Sequence, residues 1–205
     1  MTGFKQHKGI AVPLLRNDID TDAIIPSDEM KSVSRHGLAE GLFARWRYTR
    51  STVRMQNSEF VLNSAKYTGA SILMAGPNFG CGSSREHAVW ALSEYGFRAI
   101  LAPSFGSIFR RNCIFNGLVP VVLAANDIKT LAAAVEPDPQ TNKLTIDLDS
   151  KEVLGPDGLV FGFSMSEIEL EIMRKGLDPI ELTLQLDDSI TAFHLADRRL
   201  RPWVY

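Results

Sequence analysis

The stretch Ala70-Ser71-Ile72-Leu73-Met74-Ala75-Gly76-Pro77-Asn78-Phe79-Gly80-Cys81-Gly82-Ser83-Ser84-Arg85-Glu86-His87-Ala88 decides the fold class. Ala70–Ala75 is a continuous apolar run of strand length, the pattern of a strand covered on both faces. A glycine-rich turn follows over Gly76–Gly82. Ser84–Tyr95 then places Ala88, Ala91, Leu92 and Tyr95 at helical spacing. The alternation continues downstream: Arg98–Ala102 predicts a strand, Pro103–Asn116 a helix, Leu118–Leu123 a strand, and Asn126–Val135 a helix capped by Asn126. Strands and helices alternating at these lengths imply parallel crossover units, hence an α/β domain.

Upstream, Gly9–Leu15 predicts a further strand ending in the polar loop Arg16-Asn17-Asp18. Residues 17–50 show no sustained period, and the charge-rich stretch from Met30 to Glu40, within a loop of about 28–40, is expected to be exposed and mobile. Downstream, Leu144–Leu148 alternates apolar and polar residues. Leu154–Phe163, with its Pro156-Asp157-Gly158 turn, is expected to pair with it as a hairpin. Two amphipathic helices over residues 165–175 and 178–197 follow. No repeat, low-complexity tract or linker divides the chain, so residues 1–205 are expected to form one domain.

Composition excludes several classes of function. A net charge of −2, with acids and bases intermixed, offers no basic tract to neutralise a phosphate backbone. Two cysteines, Cys81 and Cys113, are too few for a disulfide framework, a four-cysteine zinc site or a self-contained cysteine-ligated iron–sulfur cluster. The first apolar stretch contains Pro13 and is cut off by Arg16 and Asp18, which argues against a signal peptide, and no apolar run is long enough to span a bilayer. A cytoplasmic protein is expected.

The glycine-rich turn carries the chemistry. Glycine permits tight turns and close approach of a ligand to the peptide groups. The first amides of a following helix lack intrahelical partners and attract an anion. Arg85 adds a planar fork suited to a carboxylate, and the hydroxyls of Ser83 and Ser84 face the same region. The plainer reading is a capping box formed by Ser83 and Glu86, with His87 in a structural hydrogen bond. Gly80-x-Gly82 begins a dinucleotide fingerprint, but Arg85 occupies the third glycine position. A phosphate-binding loop and a hydrolase elbow are both absent. A nucleophilic role for Cys81 would place its partner histidine unusually close in sequence.

A second cluster is Asp18-Ile19-Asp20-Thr21-Asp22-Ala23-Ile24-Ile25-Pro26. It partly mimics a calcium loop, but Ala23 replaces the required glycine and Pro26 falls inside. It reads either as a polar turn held by Asx hydrogen bonds or as a segment placing Asp22 or Thr21 beside the anion site. Lys31, Arg35 and His36 read as a solvated surface unless the loop closes over a ligand.

With these residues in view, the chain resembles the small-subunit family of the isopropylmalate dehydratases, in the aconitase superfamily. The resemblance rests on Asp20-Thr21-Asp22-Ala23-Ile24-Ile25-Pro26, on Asn78–Ala88 and on Ala102-Pro103-Ser104-Phe105, and spans nearly the whole chain. It implies a layered β/β/α swivelling domain like the C-terminal domain of aconitase. It also implies a hydro-lyase active only with a large subunit, interconverting 2-isopropylmalate and 3-isopropylmalate in leucine biosynthesis. The 4Fe–4S cluster of that family is ligated by the large subunit, so no metal ligands are expected here. By the same likeness Ser83 removes the carbon-bound proton, Arg85 clamps a substrate carboxylate and Asp22 belongs to the catalytic set. Ser84, Thr21 and Arg35 would contact substrate. A related hydro-lyase acting on homoaconitate or a methylmalate, or a non-catalytic carboxylate-binding module, are the alternatives.

Overall fold

The computed structural model describes residues 3–30, 34, 36–49 and 54–205. Its strands are β1 (Gln6–Leu14), β2 (Ala70–Ala75), β3 (Ala99–Ala102), β4 (Val119–Val122), β5 (Leu144–Asp147), β6 (Glu152–Leu154) and β7 (Val160–Gly162). Among the described residues they form one seven-stranded sheet ordered β4-β3-β2-β1-β5-β6-β7. β1 through β4 run parallel, and β5 to β7 are antiparallel. β1 joins the halves: Gln6–Gly9 pair with β5, and Ile10–Leu14 pair with β2 after a register shift between Ile10 and Ala11.

The helices are α1 (Thr21–Ile24), α2 (Ala44–Arg47), α3 (His87–Tyr95), α4 (Ser107–Phe115), α5 (Ala125–Val135), α6 (Glu167–Lys175), α7 (Pro179–Leu184) and α8 (Asp187–Leu200). The continuous apolar strands are explained by two cores, one on each face of the parallel sheet. Leu73 and Ala75 of β2 and Ile100 and Ala102 of β3 face one core, with Leu92 of α3 and Phe109 of α4. Ile72, Met74, Ala99 and Leu101 face the other, with Leu131 of α5, Ile146 of β5 and Leu170 of α6. Period-two alternation therefore sends neighbours to opposite cores, and both are apolar.

Several boundaries depart from the sequence reading. α3 begins at His87 rather than Ser84. Asn126 lies inside α5, whose N-cap is Ala124. Pro156-Asp157-Gly158 joins β6 to β7, while β5 and β6 turn through residues 148–151. The expected 178–197 helix is broken into α7 and α8 between Leu184 and Asp187. The loop expected over Met30–Glu40 is also only partly an exposed one, since Leu38 is buried.

Candidate active site

Because β1, β2 and β3 are parallel, their C-terminal ends share one edge of the sheet, where open α/β sheets present ligand sites. The segments at and beyond those ends, 15–26, 76–88 and 102–106, carry the three sequence anchors. Backbone bonds lace these loops together. Thr21 N–H donates to Cys81 O at 3.0 Å, and Gly80 N–H donates to Ile19 O at 2.7 Å. Phe79 N–H donates to Ser104 O at 3.1 Å, and Gly106 N–H donates to Phe79 O at 2.9 Å. The approach is close enough to demand glycine. Gly80 has φ +74, and a Cβ there would meet the Phe109 ring at 2.1 Å; a Cβ on Gly106 would meet Gly80 O at 2.6 Å.

The three aspartates divide their work. Asp18 Oδ1 accepts from Asn78 Nδ2 at 2.8 Å, and Asp20 Oδ1 accepts from Ala23 N–H at 2.7 Å, capping α1. Asp22 forms a salt bridge with Arg85, which holds one arm of the guanidinium fork. Ser83 is half-buried and Ser84 exposed, and both line a cleft of about 230 Å³ with Gly80–Gly82 and Gly106–Phe109. Neither serine nor Arg85, whose side chain is 33% exposed, is locked in the interior.

The helix terminus at this cleft is not the one expected. Ser83 and Glu86 form no capping box; Glu86 is the N-cap of α3 without a side-chain bond, and Arg85 precedes the helix. The cleft is lined instead by the first turn of α4, Ser107 to Phe109, whose amides have no intrahelical acceptor. Asn112 of α4 donates to Ser84 O at 3.3 Å. Sequence reasoning missed this terminus by starting the helix at Pro103. The Gly106-Ser107 step after the Ala99–Ala102 strand was the available signal.

Thr21, expected to touch substrate, is 1% exposed, with its hydroxyl lacking a hydrogen-bond partner among the described residues. It is withdrawn from the cleft and tied to Cys81 through its backbone. Arg35 and Lys31 lie outside the described residues. His87 packs its ring 4.8 Å from that of Trp90. Burial, together with the charges of Asp20 and Asp18, raises the Cys81 thiol pKa, the opposite of what an activated nucleophile needs. Cys113 is fully buried, and burial raises its pKa well above the ordinary range. Among the described residues no three His, Cys, Asp or Glu side chains cluster as metal ligands. The cysteines of this chain do not fit a cluster. A larger groove of about 780 Å³ lies between Val122–Ala124 and Ser150–Glu152, and of the motif residues only Pro103 lines it.

On this mixed α/β scaffold the half-buried Ser83 and the exposed Ser84 share one cleft with the first turn of α4, and Arg85, held by Asp22, follows them directly in the chain. The profile of the aconitase C-terminal domain family matches residues 1–126, and the chain belongs to that family. It is 58% identical over 205 residues to a 3-isopropylmalate dehydratase small subunit of Cupriavidus necator, covering 100% of this chain and 99% of that one. A protein of the same description from Parafrankia sp. (strain EAN1pec) is 51% identical over 193 residues, 94% of each chain. The crystal structure of 3-isopropylmalate dehydratase from Methanocaldococcus jannaschii superposes with a TM-score of 0.65 at 30% identity, covering 92% of this chain and 99% of that one. Within the wider family, the chain belongs with the 3-isopropylmalate dehydratase small subunits.

Proposed function

We propose that this chain is the small subunit of a cytoplasmic hydro-lyase that interconverts 2-isopropylmalate and 3-isopropylmalate in leucine biosynthesis and is active only with a large subunit. The observation carrying this reading is full-length likeness to small subunits combined with the Ser83–Ser84 cleft at the sheet edge, which Arg85 follows directly in the chain. The 4Fe–4S cluster of this reaction class, carried by the large subunit, supplies a Lewis acid for the substrate hydroxyl. What remains for this chain is binding, orientation and proton transfer.

Arg85, steadied by Asp22, grips a substrate carboxylate as a planar fork. Holding that carboxylate beside positive charge acidifies the adjacent C–H. Ser83 takes the proton. A serine hydroxyl is an ordinary poor base, so its alkoxide needs stabilisation, and the unpaired amides at the start of α4 and the Arg85 charge supply it. Docking of the large subunit excludes water and strengthens both effects. Ser84 and Arg35 act in substrate binding, whereas the burial of Thr21 suits a supporting place beneath Cys81.

Mixing the chain with a cluster-loaded large subunit and following isopropylmalate by absorbance tests the proposal. Little activity alone and full activity on mixing are expected. Ser83→Ala should abolish turnover with folding and subunit association intact. Near-normal turnover in Ser83→Ala would end its assignment as the base.

A further inference from the structure

Glu94, in the last turn of α3, accepts three successive backbone amides: Gly37 at 2.7 Å, Leu38 at 2.5 Å and Ala39 at 2.9 Å. A carboxylate at a helix C-terminus opposes the macrodipole, so α3 itself gains nothing from it there. Its place is explained by what it binds outside the helix. The same turn is gripped from its carbonyl side. Arg47 of α2 is 7% exposed and donates to Ala39 O at 2.8 Å and Leu42 O at 3.2 Å, while its guanidinium lies 5.0 Å from the Tyr95 ring centroid. Ala39 is thus held at its N–H by one residue of α3 and at its C=O by an arginine stacked on the next.

The clamped turn leads to the site. Phe43 N–H, directly after it, donates to Ile24 O at 2.7 Å, and Ile24 ends the helical turn that presents Asp22 to Arg85. Gly37 follows Arg35 by two positions in the sequence. We propose that Glu94 is a positioning residue of the active site, its carboxylate fixing the turn Gly37–Leu42 against α3 and so the placement of α1 and Asp22. This role rests on the functional reading above. Burial opposes ionisation of Glu94, but the Gly37, Ala39 and Leu38 amides and the His36 charge outweigh it and hold the carboxyl below its ordinary range. The ion is therefore the form that makes the clamp.

Glu94→Gln keeps the shape but turns an N–H₂ toward donors, Glu94→Ala removes the acceptor, and Glu94→Asp keeps the charge. In the reconstituted two-subunit enzyme, Glu94→Gln and Glu94→Ala should raise KM for isopropylmalate about tenfold and change kcat by less than about threefold, the signature of lost substrate positioning. Glu94→Asp should return both constants to within about threefold of the original. Hydrogen exchange at Gly37, Leu38 and Ala39 in the small subunit should accelerate at least about tenfold in Glu94→Gln, with subunit assembly intact. Unchanged exchange would overturn the clamp. Accelerated exchange with an unchanged KM would overturn its positioning role. An original pair inactive on isopropylmalate would overturn the functional reading and the positioning role with it.

Discussion

Asp22 and Arg85 are 63 residues apart in sequence, yet they form an ion pair directly after the two serines that line the cleft. Both side chains are partly solvated, at 48% and 33% exposure, so the pair itself adds little stability. Its value is geometric: Asp22 limits the rotamers of a long side chain and aims its free N–H groups. Lysine in place of Arg85 would keep the charge and lose the planar fork. Arg85→Lys should lower kcat/KM by about a hundredfold or more, as for loss of a charge-assisted bidentate contact, with Tm unchanged. Steady-state kinetics beside a thermal melt check this, and a tenfold or smaller loss would mean that Arg85 acts only as a point charge. Much of this residue-level pattern was legible, because hydroxyl-hydroxyl-arginine after a glycine turn is a chemical pattern. That Asp22 or Thr21 lies beside the anion site and orients an arginine or a substrate hydroxyl was one of two open readings of its segment; the choice of Asp22 and Arg85 as the pair was not legible, since it depends on the Thr21–Cys81 and Gly80–Ile19 bonds that join distant loops.

At the scale of elements, the helix terminus serving the cleft belongs to α4 rather than α3. Ser83 and Glu86 carry the spacing of a capping box, but Arg85 is drawn across to Asp22, and the helix starts only at His87. Tertiary contact overrode a local pattern. Strands with unbroken apolar runs were readable because burial on both faces leaves no other choice of residue. The three-residue strands β6 and β7 carry too few alternations to assign their partners. The α4 assignment makes a prediction of opposite signs. Ser107 is exposed at the first position of α4 and lines the cleft. Ser107→Asp places a negative charge at the positive end of the macrodipole, which should stabilise the fold by about 0.5 kcal/mol. The same charge should repel a substrate carboxylate and raise KM at least about tenfold. Denaturant melts and kinetics together decide it; a KM that does not move would detach α4 from substrate binding.

At the scale of the whole molecule, Met173 of α6 is the last buried residue of either core, and Leu182 of α7 is the last side chain packed against one. From Asp187 to Tyr205 only Asp197 is buried, and its partners, Arg201 and Tyr205, lie in the same segment. Phe193, Leu195, Leu200 and Trp203 are 59–78% exposed. A helix of this length with no packed face is marginal in water. Removing residues 187–205 therefore takes away none of the apolar burial that stabilises the sheet and its flanking helices. The shortened chain should unfold in the same single cooperative transition, with a change in stability below about 1 kcal/mol and Tm within about 4 °C of the full chain. In the full chain the amides of α8 should exchange far faster than those of α3 or α5, because opening α8 breaks no core contact. A fall in Tm of about 10 °C or more on truncation would mean that the C-terminal helices stabilise the domain through contacts beyond those between α8 and the Pro202–Val204 turn.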